Sequence, residues 1–226
     1  MMLKAILFDN DGLLLDTEKL YFEATRLAFS LAGVTLSSDV WAKWYLGKSK
    51  SSERIAEKLE VPPALIDKVL ERRDSMFWAD IALGTPVFPG VREALEYLSE
   101  HFRLAIVTGR RRERFERLHA STGLLKYFEI AVTRDEAGEA KPSPIPYLTA
   151  LRLLGVKAEE CLAVEDSPRG AESAVAAGIN CCIIPTSLTD LTLCPKECTI
   201  LQSITQLPDF CAGREINNKA AGSKPV

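Results

Sequence analysis

The chain has 226 residues, of which 47% are hydrophobic and 26% charged, with a formal net charge of -3. That composition supports a sizeable core and supplies no basic surface for nucleic acid or an anionic membrane. No apolar run approaches the ~20 residues of a membrane span and the start lacks a secretory pattern, so a cytoplasmic protein is expected, with neither nucleic acid nor membrane as partner.

The first apolar run, Ala5–Phe8, reads as a strand and runs straight into Asp9-Asn10-Asp11-Gly12. From Asp9 to the next such strand end at Thr108 is 99 positions, whereas a strand–helix–strand unit needs only about 30 residues. The surplus reads as helical. Leu20, Ala24, Leu27, Ala28 and Leu31 form one expected face, Ile55 and Leu59 another, and Ile66, Val69, Leu70, Arg73 and Phe77 a third, which starts at Pro62-Pro63. A helical module over 17–85 is therefore expected between residues 1–16 and 86–211, which form the main domain. Trp41, Trp44 and Tyr45 read as its core.

Past Pro89-Gly90, Val91, Ala94, Leu95 and Leu98 lie on one helical face and lead into the strand Leu104–Val107, which ends in Thr108-Gly109-Arg110. Arg110, Arg111, Arg112, Arg114 and Arg117 are expected on a solvated basic helix face, with Arg110 also a candidate phosphate contact. A third strand, Ile130–Val132, is followed by Lys141-Pro142-Ser143. Pro144 opens a helix with Tyr147, Leu148, Leu151 and Leu154 on its inner side, and Gly155 stops it. The strand Leu162–Val164 ends in Glu165-Asp166-Ser167, a helix spans 170–177, and Cys181–Ile184 is the fifth strand. Five short, continuously apolar strands alternating with helices predict a Rossmann-like parallel α/β core, buried on both faces. The six cysteines all lie in the last third and are expected as reduced thiols. Cys194 and Cys198 have metal-pair spacing but no second pair, which argues against zinc. Residues 212–226 are polar and expected as a flexible tail.

In a parallel α/β sheet, ligands meet the carboxyl ends of the strands. Two acidic clusters, a hydroxyl-plus-glycine turn and a lysine all fall there. Facing carboxylates repel unless a cation lies between them, and hard oxygen ligands suit Mg²⁺ with a substrate phosphate. Thr108 and the Gly109 N–H suit phosphate oxygens, and Lys141 brings a compact positive charge. Asp9, ionised at neutral pH, is a candidate nucleophile, and Asp11 a candidate for the leaving-group proton. Each segment alone also has a plainer reading. Asp-Asn-Asp-Gly is a common turn, and Glu165–Pro168 could simply cap the next helix.

Taken together and in order, "FDNDG", "IVTG", Lys141 in "KPSP" and "VEDSPRG" resemble the four motifs of the haloacid dehalogenase superfamily, and "DGLLLDTE" and "VEDSPRGAESAVAAGI" resemble its β-phosphoglucomutase-like phosphatases. The resemblance covers about residues 2–210 and implies that 17–85 is a small α-helical cap. It implies Asp9 as nucleophile, and Asp11 as acid–base and as a metal ligand through its carbonyl. Thr108 with Gly109 would bind the phosphoryl group, and Lys141 would neutralise charge. Asp166 and Glu165 would be ligands of Mg²⁺, and Gly12 would make a sharp turn beneath the cap. Lys48, Ser49 and Lys50 in "LGKSKSSER" become candidate substrate contacts, the alternative being a solvated turn capped by Ser51 or Ser52.

The expected activity is hydrolysis of a small phosphorylated metabolite. The alternatives are a hexose phosphate mutase and a non-catalytic protein that keeps the fold; a dehalogenase is disfavoured by Asp11 and the acidic pair. Tyr21, standing where mutases of this kind place a histidine, lowers the mutase reading. Asn10, at a position often apolar, is expected to face away from the site. A monomer is expected, with a dimer the alternative.

Overall fold

A computed structural model describes residues 2–48 and 50–212. The expected tail beyond 212, and Ser49, lie outside the described residues. The sheet is built from β1 (Ala5–Phe8), β2 (Arg103–Val107), β3 (Ile130–Val132), β4 (Cys161–Glu165), β5 (Asn180–Ile183) and β6 (Thr199–Ile200). All pairings are parallel and the order is β3-β2-β1-β4-β5-β6. The chain builds outward from β1 through β2 to β3, then returns to lay β4 against β1. The crevice between β1 and β4 is therefore the switch point at which such sheets bind ligands. The five expected strands are present within a residue or two. β6, only two residues long, was not expected from the sequence.

Successive side chains alternate across the sheet. Ala5, Leu7, Ala105, Val107, Ala163 and Cys181 face one core layer, covered by α8 (Ile145–Leu154) and α9 (Pro168–Ala176). Ile6, Phe8, Leu104, Ile106, Leu162 and Val164 face the other, covered by α5 (Val91–His101) and α6 (Arg112–His119). Both layers are buried and apolar, which is why the strands read as unbroken apolar runs. Leu148 on α8 is 42% exposed, so the expected inner face keeps Tyr147, Leu151 and Leu154 and gains Ala150. The short α7 (Arg134–Ala137) precedes Lys141.

Among the described residues, the segment between β1 and α5 holds only helices: α1 (Thr17–Ser30), α2 (Ser38–Trp41) running into a π-helical stretch at Ala42–Gly47, α3 (Ser52–Lys58) and α4 (Pro63–Ala82). Pro63 starts α4 and Ser51 caps α3 through the Arg54 N–H. α4 buries Ile66, Val69, Arg73 and Phe77 as its spacing predicted, while Leu70 of the same expected face is only partly buried. On α1 the expected face is displaced. Leu27 and Leu31 are 46% and 67% exposed, while Tyr21, Phe22, Ala24, Thr25, Ala28 and Phe29 are buried. The larger aromatic stripe removes more apolar area from water, so it wins the interior. Trp41 is fully buried and stacks on Tyr45 at 4.0 Å between centroids. The two connections of this module run side by side, with the Asp16 N–H on Pro86 O at 3.0 Å and the Phe88 N–H on Leu14 O at 3.1 Å.

Phe29→Ala should cost about 3–5 kcal/mol of stability because it empties a closed site. Leu27→Ala, on the exposed side of the same helix, should stay within about 0.5 kcal/mol. Denaturant unfolding of the two variants checks the face assignment; equal losses would return Leu27 to the interior.

Candidate active site

The loop after β1 is wound tightly. Asn10 O accepts from Leu14 N–H and Leu15 N–H at 3.0 Å each, and the Gly12 N–H donates to Leu15 O at 2.8 Å. Gly12 has φ +82°, and a Cβ there would lie 2.1 Å from Asp166 Oδ2. Glycine at 12 thus serves both the left-handed turn and the close approach of the acidic end of β4.

Lys141 ties three strand ends together. Its Nζ donates to Asp9 Oδ1 at 2.7 Å, to Glu165 Oε1 at 2.5 Å and to Val107 O at 2.7 Å. Burial alone would lower its pKa, but the Asp9 and Glu165 charges outweigh burial and raise it, so the ammonium stays charged. Glu165 Oε1 also accepts from the Tyr147 hydroxyl at 2.6 Å. Its other oxygen has no partner among the described residues and lies where a Cβ on Gly170 would be, 1.9 Å away. Burial, then the Asp9 charge, push Glu165 up to about 7 against the pull of Lys141. Asp166, also buried, is raised well above the carboxylate range by burial and then by Asp9 and Glu165; its Oδ2 has no partner among the described residues either.

One oxygen from each of Asp9, Glu165 and Asp166 lies within 4.8 Å of the others. Two orphaned buried carboxylate oxygens in an all-oxygen, net-negative cluster fit a hard divalent cation such as Mg²⁺.

Asp11 faces a different cation. Arg110 Nε lies 2.9 Å from both of its oxygens and Nη2 lies 2.8 Å from Oδ1. The Thr17 hydroxyl also donates to Oδ1, and Asn10 Nδ2 reaches Oδ2 at 3.3 Å. Burial would raise Asp11, yet the Arg110 guanidinium holds it below its ordinary value. Arg110 is therefore no member of a solvated face. It lies over the rings of Tyr21 and Phe77 at 5.6 and 5.3 Å.

Asn10 does not open on the site's cavity and touches the site through Asp11. It is buried, and because its amide group donates to Asp11, its Oδ1 must accept from His119 Nε2 at 2.7 Å. That fixes the tautomer: His119 carries its proton on Nε2 and Nδ1 meets the Thr122 hydroxyl at 3.0 Å. Burial pushes His119 down to about 4, so it is neutral at physiological pH.

A cavity of about 550 Å³ joins these groups. Asp9, Asp11, Thr108, Gly109, Arg110, Lys141, Asp166 and Lys50 line it. Glu165 is behind its wall. Lys48 is not in it: its ammonium sits 4.8 Å from the centroid of the Trp44 ring. The inserted helices contribute Tyr21, Tyr45 and Arg73 to the opposite wall. Arg114, expected in solvent, also reaches the cavity and pairs with Asp74 of α4 at 3.0 Å. Arg169, overlooked although it stands inside "VEDSPRG", lies 5.0 Å from the Tyr45 ring centroid. Tyr147 and His119 carried no motif signal of their own.

The sequence profile described as haloacid dehalogenase-like hydrolase matches residues 3–178. A phosphorylated carbohydrates phosphatase of Thermotoga maritima is 36% identical over an alignment of 183 positions, with 78% of this chain and 82% of that protein covered. A phosphoglycolate phosphatase of Thiobacillus denitrificans is 28% identical, with 81% and 83% covered. The crystal structure of CbbY from Rhodobacter sphaeroides with xylulose-(1,5)-bisphosphate superposes with a TM-score of 0.70 at 30% identity, covering 91% of this chain and 96% of that one.

His119 makes stability depend on pH in one direction. Its value near 4 in the folded chain is below its ordinary 6.5. The unfolded chain therefore takes up the proton first, and stability is full above pH 6.5 and lost as the pH falls toward 4. The loss should reach about 3 kcal/mol. Glu165 and Asp166, raised in the folded state, act in the opposite sense. The measurement is therefore the difference between parent and His119→Gln, which should narrow by about 3 kcal/mol from pH 7 to pH 4. A constant difference would show that His119 is not the titrating group.

Proposed function

The chain belongs to the haloacid dehalogenase-like hydrolases and is a phosphomonoesterase; we propose that it is a Mg²⁺-dependent phosphatase of small phosphorylated metabolites, acting through an aspartyl-phosphate on Asp9. The observation that best supports this reading is the Asp9 carboxylate itself, held by the Lys141 ammonium and set within 4.8 Å of two further buried carboxylates. Sugar phosphates are the favoured substrates. They are the class named for the Thermotoga relative and, as a bisphosphate, the ligand named in the CbbY structure.

In this reading the substrate phosphate lies between Asp9 and the Thr108–Gly109 turn. Thr108 is buried, with its Oγ1 accepting from the Arg110 N–H, which leaves the hydroxyl proton to be donated to a phosphoryl oxygen. An Asp9 oxygen attacks phosphorus, the ester P–O bond breaks, and Asp11, which must first leave Arg110 and take up a proton from solvent, gives that proton to the leaving oxygen. Water then attacks phosphorus, Asp11 takes a proton from it, and phosphate departs with Asp9 restored. Lys141 offsets negative charge on Asp9 and the phosphoryl oxygens throughout. Asp9, Asp166 and the Asp11 carbonyl would hold Mg²⁺, with Glu165 a direct or water-mediated ligand. The ion supplies electrostatic relief between the nucleophile and an anionic phosphate. The helices over 17–85 serve as a cap that excludes water and carries substrate contacts, Lys50 among them. Tyr21, buried among Trp41, Tyr45 and Phe77, supplies no base for a second sugar hydroxyl, and this favours hydrolysis over mutase transfer.

Asp9→Asn should lower turnover by at least about a thousandfold while unfolding normally, because an amide is a poor nucleophile. Labelled phosphate trapped on any other residue would refute the assignment. Chelator should abolish activity and Mg²⁺ restore it. Because Glu165, near 7, and Asp166 hold protons that the ion must displace, Mg²⁺ should raise the unfolding temperature more at pH 8 than at pH 6. An increment that does not depend on pH would contradict binding at this cluster.

A further inference from the structure

An acid–base group has to present an oxygen to the leaving group, and Asp11 has none to spare. Oδ1 meets Arg110 Nε at 2.9 Å and Nη2 at 2.8 Å as well as the Thr17 hydroxyl, and Oδ2 meets Arg110 Nε at 2.9 Å and Asn10 Nδ2 at 3.3 Å. Thr17 and Asn10 are short, neutral donors. Arg110 is the charged one, and the two side chains are only 15% and 13% exposed, so the pair is charge-assisted and largely shielded from water. The far side of the guanidinium lies against Tyr21 and Phe77 of the inserted helices. The Arg110 backbone is fixed at both ends, its N–H on Thr108 Oγ1 at 3.2 Å and its carbonyl accepting from the Arg134 N–H at 2.8 Å. The long side chain is therefore the part that can change partner.

What can take that partner away is another anion. Among the described residues the cavity wall carries eight basic side chains against five acidic ones, an excess that favours a ligand with more negative charge than one phosphate brings. Arg73 and Arg114 are shared with Asp74, and Lys50, Arg111, Arg134 and Arg169 line the same cavity, but among the described residues Arg110 is the cation bonded to Asp11.

We infer that Arg110 is a specificity-determining latch, which holds Asp11 engaged until a second anionic group on the substrate, a carboxylate or a second phosphate, takes its guanidinium. The role given to Asp11 rests on the phosphatase reading above; the anion exchange at Arg110 does not. No covalent bond changes: one guanidinium–oxyanion pair replaces another, and Asp11 is left with Thr17 and Asn10. A substrate with a second anion exchanges like for like. One with a neutral tail has to break the pair with nothing in its place, a difference of about ten- to a hundredfold in the specificity constant.

The test uses the full chain with Mg²⁺ and three phosphonates that cannot be hydrolysed: propylphosphonate, 3-phosphonopropionate and propane-1,3-diylbisphosphonate. Calorimetric titration should show the parent binding at least one of the two probes with a second anion tenfold or more tighter than propylphosphonate, and which of them is tighter separates carboxylate from phosphate. Arg110→Gln should abolish the preference, and Arg110→Lys, which keeps the charge without the fork, should retain part of it. In turnover, Arg110→Gln should speed a neutral-tailed aryl phosphate several-fold while slowing a carboxylated phosphomonoester at least tenfold in kcat/KM. The inference is overturned if the parent shows no preference, if Arg110→Gln keeps it, or if both substrates slow by the same factor, as a purely structural role would give. Should Arg110→Gln not fold, an unchanged preference in Arg110→Lys would overturn it. An Arg110-dependent preference without turnover of any substrate would support the exchange and count against the phosphatase reading.

Discussion

Three carboxylates crowded around the β1–β4 crevice are the constraint on which the rest depends. Two unit charges ~4 Å apart repel by about 4 kcal/mol at an effective dielectric of 20, and burial adds to that cost. Lys141 is the direct answer to it: one ammonium bonded to Asp9, to Glu165 and to the last carbonyl of β2. The residual negative charge is not cancelled, and burial first, with that charge second, raises Glu165 and Asp166. The same excess gives this edge the oxygen-rich, anionic character that suits a hard divalent cation.

The close approach of these acids also dictates small residues beneath them. Gly12 lies under Asp166 and Gly170 under Glu165, each at a distance no side chain permits. Tyr147 reaches across from α8 to satisfy one Glu165 oxygen and leaves the other without a partner among the described residues. A helix that looks merely packed against the sheet is thus also part of the electrostatics at its edge.

The strands and the order of the acidic ends were legible in the sequence because a sheet buried on both faces writes itself as unbroken apolar runs, and in a parallel sheet the residues at the carboxyl end of every run share one edge. α1 was harder. Leu27 and Leu31 satisfy a helical period as well as Phe22 and Phe29 do, and only packing against α4 decides between the two faces. The solvated face assigned to Arg110, beside its reading as a phosphate contact, was wrong for a related reason. In a run of five arginines each looks like its neighbours, and nothing local tells which one turns inward to Asp11, 99 positions earlier in the chain. Lys48 and Lys50 stand two apart in one loop, yet only Lys50 reaches the cavity, while Lys48 is taken up by Trp44. Asn10 and His119 were invisible as a pair, since their bond spans 109 positions.

Asp9 and Asp11 stand two residues apart and are chemically identical, and their partners set them apart. Asp9 meets the ammonium of Lys141, which it shares with Glu165 and a carbonyl. That arrangement neutralises charge while leaving the carboxylate facing the acidic cluster. Asp11 meets a planar fork that occupies both oxygens, and it sits in a chain of neutral donors running through Asn10 to His119. His119 stays neutral because it is buried, and so Asn10 is held in a single orientation whatever the pH near 7. The amide in turn fixes where Asp11 can go when the fork lets go. On the acid–base role proposed for Asp11, a rigid neutral support on one side and an exchangeable cation on the other would give the carboxylate the two positions that a group first giving and then taking a proton requires.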